Sequence, residues 1–269
     1  MSSPIRRALV TGASSGLGVD FARQLAARGF HLVLTARRRD RLLALAEELR
    51  AAHRIEVECV DLDLGTPGAA GLLFERATAG GPLHALVNNA GFGLYEAMAE
   101  LPILRIQALL QLNIGALTEL SWYAVRHMRD HGEPGYVLNV ASIAAYQPVP
   151  YFAAYGASKS YVRDFSEALA YEQSGSNVSV TCLCPGGTWT EFSEVAGQQL
   201  TPLAKASMMD SSATARIGLD AMFARRRNVV AGKMNTVSMF LTRLAPRRFT
   251  AWAAQYALGG RPPPPRLPA

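Results

Sequence analysis

The sequence predicts an α/β fold, a single domain in which helices cover both faces of one doubly wound parallel sheet. Apolar runs typical of buried strands alternate with helical patterns six times without a break, as in a parallel sheet. Glycines and polar residues follow the ends of these runs, which is where ligands bind in open α/β sheets. The length of 269 residues suits one large domain of this kind.

The pattern places each element along the chain. We predict strands at about 8–10, 31–35, 55–60, 83–87, 135–140 and 178–183. We predict helices at about 17–28, 38–53, 67–79, 103–130, 153–173 and 212–225. A short strand near 229–231 would complete a seven-stranded sheet. Residues 1–232 would then form the main domain, and residues 233–269 a helical extension that belongs to it or packs on it.

A glycine-rich loop, residues 11–18 (TGASSGLG), joins the first strand to the first helix. This order suits a pyrophosphate, because glycines let the backbone approach the ligand and the helix N-terminus offers free N–H groups. The spacing is GxxxGxG rather than the commoner GxGxxG. The alternative interpretation is a glycine-rich turn without a ligand.

The end of the second strand indicates which dinucleotide would bind. In dinucleotide folds an acidic residue there binds the ribose 2′-hydroxyl, whereas an arginine accommodates a 2′-phosphate. Here Ala36 and Arg37 end the strand, and no acid occurs before Asp40. This favours NADP over NAD. The alternative is that these arginines only begin the next helix on its solvent side, which is our interpretation of Arg39 and Arg41.

Tyr155 and Lys159 are the strongest candidates for chemistry. Their spacing of four places both side chains on one face of a helix. A nearby ammonium lowers the pKa of a phenol, and a tyrosine tuned in this way can exchange a proton with an alcohol or carbonyl. The alternative is a helix face that carries these residues without a function. Asn113 is also unusual, because it places a polar amide on an apolar helix face and such a buried amide requires hydrogen-bond partners.

Composition limits the remaining classes. The formal net charge is +6, which indicates an arginine-rich surface, a phosphate-bearing cofactor, an acidic partner or an anionic membrane. The three cysteines have no metal-ligand spacing, so we expect no metal site and a reducing, cytoplasmic location. No signal peptide or membrane-spanning run is visible, and we expect no nucleic-acid partner.

Together, these motifs resemble those of the short-chain dehydrogenase/reductase family over about residues 5–195. The matching pieces are Thr11–Gly18, Asp63-Leu64, Asn88–Gly91, Asn113, Ser142, Tyr155-x-x-x-Lys159, and Pro185-Gly186 with Thr188. The resemblance implies a Rossmann-type fold and a catalytic tetrad. Tyr155 would be the general acid/base, and Lys159 would lower its pKa and hold the nicotinamide ribose. Ser142 would polarise the substrate carbonyl, and Asn113 would hold a water that links Lys159 to solvent.

The resemblance also implies a set of residues that contact NADP(H). Gly12, Ser14, Ser15 and Leu17 would bind the pyrophosphate, Asp63 and Leu64 the adenine, Asn89 and Gly91 the adenosine-side ribose and cofactor body, and Thr188 the nicotinamide carboxamide. Gly16, Gly18, Ala90, Pro185, Gly186, Thr190, Tyr155 and Lys159 complete the set. Some NADP-dependent members carry a basic residue where this chain has Ser15, so Arg37, with Arg38, would bind the 2′-phosphate alone.

Large apolar residues predict the substrate pocket, and the resemblance implies that the segment from about 189 to 209 sets its specificity. The candidates are Phe92, Tyr95, Tyr151, Phe152, Trp189 and Phe192, with Met208 and Met209. They could instead only pack over the cofactor. We predict an NADPH-dependent carbonyl reductase, reversible as an alcohol dehydrogenase, for an apolar ketone or 3-oxoacyl substrate. The alternative is a non-catalytic NADP-binding scaffold or regulator.

The extension combines apolar and basic residues. An apolar stripe (Val237, Phe240, Leu241 and Leu244) lies beside Arg243, Arg247 and Arg248, and a second helical piece with Trp252, Tyr256 and Leu258 follows Pro246. Such a tail can lie on a membrane, dock an acidic carrier protein, or fold back on its own core or a partner subunit. Residues 261–266 are predicted to be a frayed end. The resemblance implies a homodimer or homotetramer through the helices at 103–130 and 153–173.

Overall fold

The structure, a computed structural model, describes residues 6–258 and contains one sheet of seven parallel strands. The strands are β1 Arg6–Thr11, β2 Phe30–Ala36, β3 Val57–Asp61, β4 Leu83–Asn88, β5 Gly135–Val140, β6 Val178–Cys184 and β7 Asn228–Val230. Their order in the sheet is β3-β2-β1-β4-β5-β6-β7. The order reverses between β1 and β4, and this switch point opens a crevice at the carboxyl ends of the strands. The predicted fold class is confirmed.

Eleven α-helices are described, and most of them connect successive strands. They are α1 Leu17–Ala27, α2 Arg39–His53, α3 Ala69–Thr78, α4 Ile103–Leu110, α5 Leu117–His131, α6 Ala153–Glu172, α7 Phe192–Val195, α8 Pro202–Ala206, α9 Ser211–Phe223, α10 Lys233–Leu241 and α11 Arg247–Ala257. Short α7 and α8 lie between β6 and α9, so the segment after β6 is helical in part rather than an open loop.

Two layers of core packing hold the sheet between its helices. Alternate strand residues point to opposite faces, so Val10 packs against α1, α2 and α9, while Leu9 packs against α3 and α5. Both side chains are fully buried. Strands buried on both faces are rich in apolar residues, as residues 8–10 of β1 and 85–87 of β4 show.

The helix predicted over 103–130 is interrupted. A π-helical segment, Gln111–Ala116, separates α4 from α5. Its wider turn holds Asn113 in the interior, where the carboxamide is fully buried and hydrogen-bonded. Single π-helical turns inside α-helices occur frequently at functional sites.

The C-terminal extension forms two helices separated near Pro246. Thr250 and Ala254 of α11 are buried against the main domain, while Phe240 of α10 and Trp252 of α11 stay exposed. Among residues 6–258, no helix is both long and apolar enough to cross a bilayer. The predicted frayed end at 261–266 lies outside the described residues.

Candidate active site

A cavity of about 550 Å³ lies at the carboxyl ends of the central strands. One end is bordered by the glycine loop and the end of β2, and the other by α6, the segment after β6, and α11. Within this cavity the structure brings together most residues predicted to bind cofactor or act in catalysis. They are Gly12, Ser14, Ser15, Gly16, Leu17, Arg37, Arg38, Asp63, Leu64, Asn89, Ala90, Gly91, Ser142, Tyr155, Lys159, Pro185, Gly186, Thr188 and Thr190.

Close backbone packing explains the glycines of the loop. A Cβ on Gly18 would lie 2.1 Å from the carbonyl oxygen of Gly12, and Gly12 itself has a φ of 68°. The Asn89 side chain donates to the Gly12 carbonyl, and Thr11 Oγ1 accepts from the backbone N–H groups of Asn89 and Ala90. The end of β4 therefore holds the loop in place. A backbone cradle at the start of α1 fits a pyrophosphate.

The arginines at the end of β2 differ in their partners. The Arg37 side chain is 73% exposed and lies 4.0 Å from an Asp63 carboxylate oxygen. Arg38 donates to the Ser14 hydroxyl at 3.1 Å and pairs with Glu191 at 2.8 Å. Arg41 pairs with the other Glu191 oxygen at 2.6 Å. Among the described residues that border this end of the cavity, Arg37 is therefore the cation available to an incoming phosphate.

Ser142, Tyr155 and Lys159 meet in the wall of the cavity. Ser142 follows β5 after Ala141, and its hydroxyl accepts from the Ala144 backbone N–H at 3.1 Å in the cavity wall that it shares with Tyr155. Lys159, one helical turn beyond Tyr155, donates to the Val140 carbonyl at 2.8 Å. Its Nζ lies 5.8 Å from the centre of the Tyr155 ring. The spacing of four residues therefore brings phenol and ammonium to one face, as the sequence predicts.

Burial changes the pKa values of both groups. It raises the pKa of Tyr155 to about 12, against a smaller lowering by the hydrogen bond from Ser142. It lowers the pKa of Lys159 to about 8. In this structure burial therefore places the pKa of Tyr155 above its usual value, and the lowering by Lys159 remains a prediction. The cost of burying a phenolate dominates, and the ammonium is bonded to a backbone carbonyl instead.

Asn113 connects the π-helical segment to the cavity. Its Nδ2 donates to the Phe92 carbonyl at 3.0 Å and to Ser158 Oγ at 3.1 Å. Its Oδ1 accepts from the Phe92 N–H at 3.2 Å. The carboxamide thus fixes the chain between β4 and α4 beside Lys159. The predicted water relay remains a prediction.

The apolar end of the cavity differs from the prediction. Phe92, Phe152 and Phe192 line it, whereas Tyr95, Tyr151 and Trp189 do not. Tyr95 is buried behind Phe152, with ring centres 5.0 Å apart. Trp189 is 54% exposed, and its backbone N–H donates to the Met209 carbonyl at 3.0 Å beside the bridge between Thr188 and Met209. Tyr151 has a left-handed backbone conformation, with a φ of 65°, and its ring packs against that of Tyr95.

Several lining residues were missed by the sequence analysis. Gln147, Val149, Val195, Gln198, Leu200, Ala204, Ala254, Ala257 and Leu258 also border the cavity. The last three belong to or follow α11, so the extension forms part of the wall. Small residues such as Ala254 and Ala257 carry no sequence signal for a binding site. Asp, Glu, His and Cys side chains do not gather into a metal-binding group anywhere in residues 6–258.

A glycine cradle at the switch point of a parallel sheet, with a tyrosine–lysine pair in the same cavity, defines the class of dinucleotide-dependent oxidoreductases. The family model for short chain dehydrogenases matches residues 6–201. The chain belongs to the short-chain dehydrogenase/reductase family.

Individual relatives and structures agree with this assignment. An uncharacterized oxidoreductase from Myxococcus xanthus is 38% identical over 193 residues, which is 70% of this chain and 74% of that protein. A sulfoacetaldehyde reductase from Chromohalobacter salexigens is 37% identical over 190 residues, 69% of this chain and 74% of its own. A short-chain dehydrogenase from Sphingobium yanoikuyae, solved in complex with NADPH, superposes with a TM-score of 0.80 at 29% identity, covering 89% of this chain and 94% of its own.

Proposed function

We propose that this protein is an NADPH-dependent reductase of apolar ketones or 3-oxoacyl substrates, reversible as an alcohol dehydrogenase. The observation that carries the proposal is that Ser142, Tyr155 and Lys159 line the same cavity as the glycine cradle. When bound, the nicotinamide supplies a hydride to the carbonyl carbon. The Ser142 hydroxyl donates to the carbonyl oxygen, and Tyr155 gives that oxygen its proton.

The protonation state of Tyr155 favours the reducing direction. With a pKa of about 12, the phenol keeps its proton at neutral pH. Carbonyl reduction requires a protonated acid, whereas alcohol oxidation requires the phenolate as base. Lys159 would hold the nicotinamide ribose and stabilise the phenolate that remains after proton transfer.

The choice of NADPH rests on Arg37. This arginine ends β2 with an exposed guanidinium at the position where an acid would bind the 2′-hydroxyl in an NAD enzyme. The structurally similar dehydrogenase from Sphingobium yanoikuyae binds NADPH. Both observations support a 2′-phosphate beside Arg37.

The substrate class rests on the far end of the cavity, which is lined by Phe92, Val149, Phe152, Phe192 and Leu258. Among the described residues, Lys159, Arg37 and Arg38 are the cations that border the cavity, and both arginines are at the cofactor end. A sulfonated substrate such as that named for the relative from Chromohalobacter salexigens would need a cation at the far end. An apolar ketone does not, so we favour the apolar class.

The test is NADPH oxidation, followed by nicotinamide absorbance, across aldehydes, ketones, diketones and 3-oxoacyl thioesters. We expect turnover that falls about 10²–10⁴-fold in Tyr155→Phe, with the Kd for NADPH changed less than about threefold. Tyr161→Phe is the matched control, because Tyr161 lies outside the cavity and bonds to Thr118. A wild type that binds NADPH but reduces nothing would favour the scaffold alternative.

The remaining expectations are also proposals. We propose residues 1–232 as the catalytic domain, a cytoplasmic location, and a homodimer or homotetramer. Exposed Leu104 on α4, Trp122 on α5 and Tyr161 on α6 support subunit contacts through these helices. Light scattering after size exclusion would count the subunits, and a monomer at micromolar concentration would contradict this part of the proposal.

A further inference from the structure

The charge of the chain is divided unevenly. Residues 221–269 hold nine arginine and lysine residues and no aspartate or glutamate. The whole chain has 27 basic and 21 acidic residues, so residues 1–220 hold 18 and 21. The first part is therefore net −3 and the last part net +9, and the overall charge of +6 comes entirely from the C-terminal region. Such asymmetry indicates a polyanionic partner for that region.

The same region carries an exposed apolar surface on α10, α11 and the turn between them, which we call the C-terminal surface. Its members are Met234, Val237, Phe240, Leu241, Leu244, Phe249, Trp252 and Tyr256, each more than half exposed. They are eight of the nineteen exposed large apolar side chains in the described part of the chain, within 23 residues. Trp252 lies 5.8 Å from Phe249 and 5.9 Å from Tyr256 between ring centres. Exposed apolar groups this concentrated mark an interaction site.

The combination of groups identifies the partner. Exposed Arg243, Arg247 and Arg248 lie in and around the turn between the two helices, next to the exposed aromatic residues of α11. Helices with aromatic and aliphatic groups on one side and arginines beside them bind in the interfacial plane of anionic bilayers. A second copy of the chain in a twofold contact would bring this cationic region against itself, which costs free energy.

The position of α11 connects this surface to the site. Its buried side includes Thr250 and Ala254, and Ala254, Ala257 and Leu258 border the cavity. Tyr95 Oη donates to the Leu258 carbonyl at 3.1 Å, and Thr201 Oγ1 donates to the Ala257 carbonyl at 3.0 Å. One helix therefore forms both a wall of the cavity and the underside of the exposed surface.

We propose that the C-terminal surface docks α10 and α11 on an anionic bilayer, and that docking places the apolar end of the cavity beside the membrane. Substrates dissolved in the bilayer would then reach Tyr155 without crossing bulk water. The docking claim stands on the surface alone, whereas the claim about substrate entry rests on the proposed function.

Docking is tested by co-sedimentation of the full chain with phosphatidylcholine vesicles, with and without about 30% phosphatidylserine. We expect partitioning to the anionic vesicles to exceed that to neutral vesicles at least tenfold, and to fall when salt is raised. Phe249→Ser with Trp252→Ser should lose at least tenfold of the binding. Leu72→Ser removes an apolar side chain that is also more than half exposed, on α3 and away from the C-terminal surface, and should leave binding unchanged. Equal binding to both vesicle types, or a dimer that protects the C-terminal surface, would overturn the proposal.

Entry of substrate is tested with two ketones, one water-soluble and one confined to vesicles. Anionic vesicles should accelerate reduction of the confined ketone at least fivefold, and Phe249→Ser with Trp252→Ser should abolish that gain. The same variant should reduce the soluble ketone like the wild type. No acceleration despite vesicle binding would overturn membrane entry. Failure to reduce either ketone would contradict the proposed function. The co-sedimentation result would still test docking, because it does not depend on activity.

Discussion

The two ends of the cavity are built in different ways. At the cofactor end, backbone atoms and short polar side chains fix the geometry, and a Cβ on Gly18 would meet the Gly12 carbonyl at 2.1 Å. At the far end, side chains from α6, from the segment after β6 and from α11 form an apolar wall. Chemistry that a family shares can therefore be located at the cofactor end. Substrate choice depends instead on the size and shape of the side chains at the far end.

We expect the largest effect on cofactor binding from a substitution in the glycine cradle. Gly18→Ala should lower the affinity for NADPH at least about 100-fold and the free energy of unfolding by about 1–3 kcal/mol, because backbone has to move. Gly29→Ala is the control, since a Cβ there meets nothing within 4 Å. It should cost about 1 kcal/mol through its left-handed backbone and leave NADPH affinity unchanged. Calorimetry and urea unfolding measure both quantities. A Gly18→Ala variant that binds like the wild type would refute the rigid cradle.

The buried lysine predicts a pH dependence of stability. Between pH 8 and 10 the folded protein holds Lys159 neutral, because its pKa is about 8, while the unfolded chain keeps it charged. The unfolded state then binds more protons, so the free energy of unfolding rises with pH. From pH 10 upward Tyr155 acts in the opposite sense, since only the unfolded chain loses that proton.

The measurement compares wild type with Lys159→Met by urea unfolding. From pH 8 to pH 10 the difference in unfolding free energy should grow in favour of the wild type by on the order of 2 kcal/mol. Parallel pH curves for the two proteins would show that Lys159 keeps an ordinary pKa.

The sequence predicts the residues at the cofactor end of the cavity better than those at the far end. The predicted bounds of β5, residues 135–140, agree with the structure to the residue, because apolar residues dominate a strand that is buried on both faces. Gly12, Asn89 and Tyr155 were found because their roles depend on local spacing. The bond between Arg38 and Glu191 joins residues 153 positions apart, so no local pattern indicates it.

The errors at the far end have physical causes. The size of Trp189 predicts a place in the pocket, but the side chain is 54% exposed, because the backbone course after β6 and not residue size sets its direction. Ala254 lines the cavity because α11 packs back on the main domain. The local sequence of a short amphipathic helix does not indicate where that helix packs. The raised pKa of Tyr155 comes chiefly from burial, which tertiary packing determines and no local pattern indicates.

Cofactor choice gives the next smaller effect. Arg37→Asp should shift the ratio of kcat/KM for NADPH over NADH by about 10–100-fold toward NADH, since a charge-assisted contact is replaced by repulsion. Arg39→Asp is the control, because Arg39 pairs with Asp61 outside the cavity. A wild type that already prefers NADH would contradict the role of Arg37.

Glu191 links the two ends of the cavity. It belongs to the segment after β6, and it forms ion pairs with Arg38 and Arg41 near the cofactor end. Its carboxylate occupies Arg38 and Arg41, and those contacts hold the pKa of Glu191 below its usual value. Glu191→Gln should tighten NADPH about 2–5-fold by freeing Arg38, with NADH affinity unchanged; exposed ion pairs are weak, so the effect is small. Equal changes for both cofactors would show that the pair only positions the segment after β6.

The most direct test of the account is transfer of label from cofactor to product. The ketone that turns over fastest would be reduced with NADPH carrying deuterium at each C4 position in turn, and the alcohol analysed by mass spectrometry. We expect deuterium on the carbinol carbon from one of the two positions, and loss of product in Tyr155→Phe. Unlabelled alcohol from both positions, or undiminished product in Tyr155→Phe, would contradict a hydride-transfer enzyme whose acid is Tyr155.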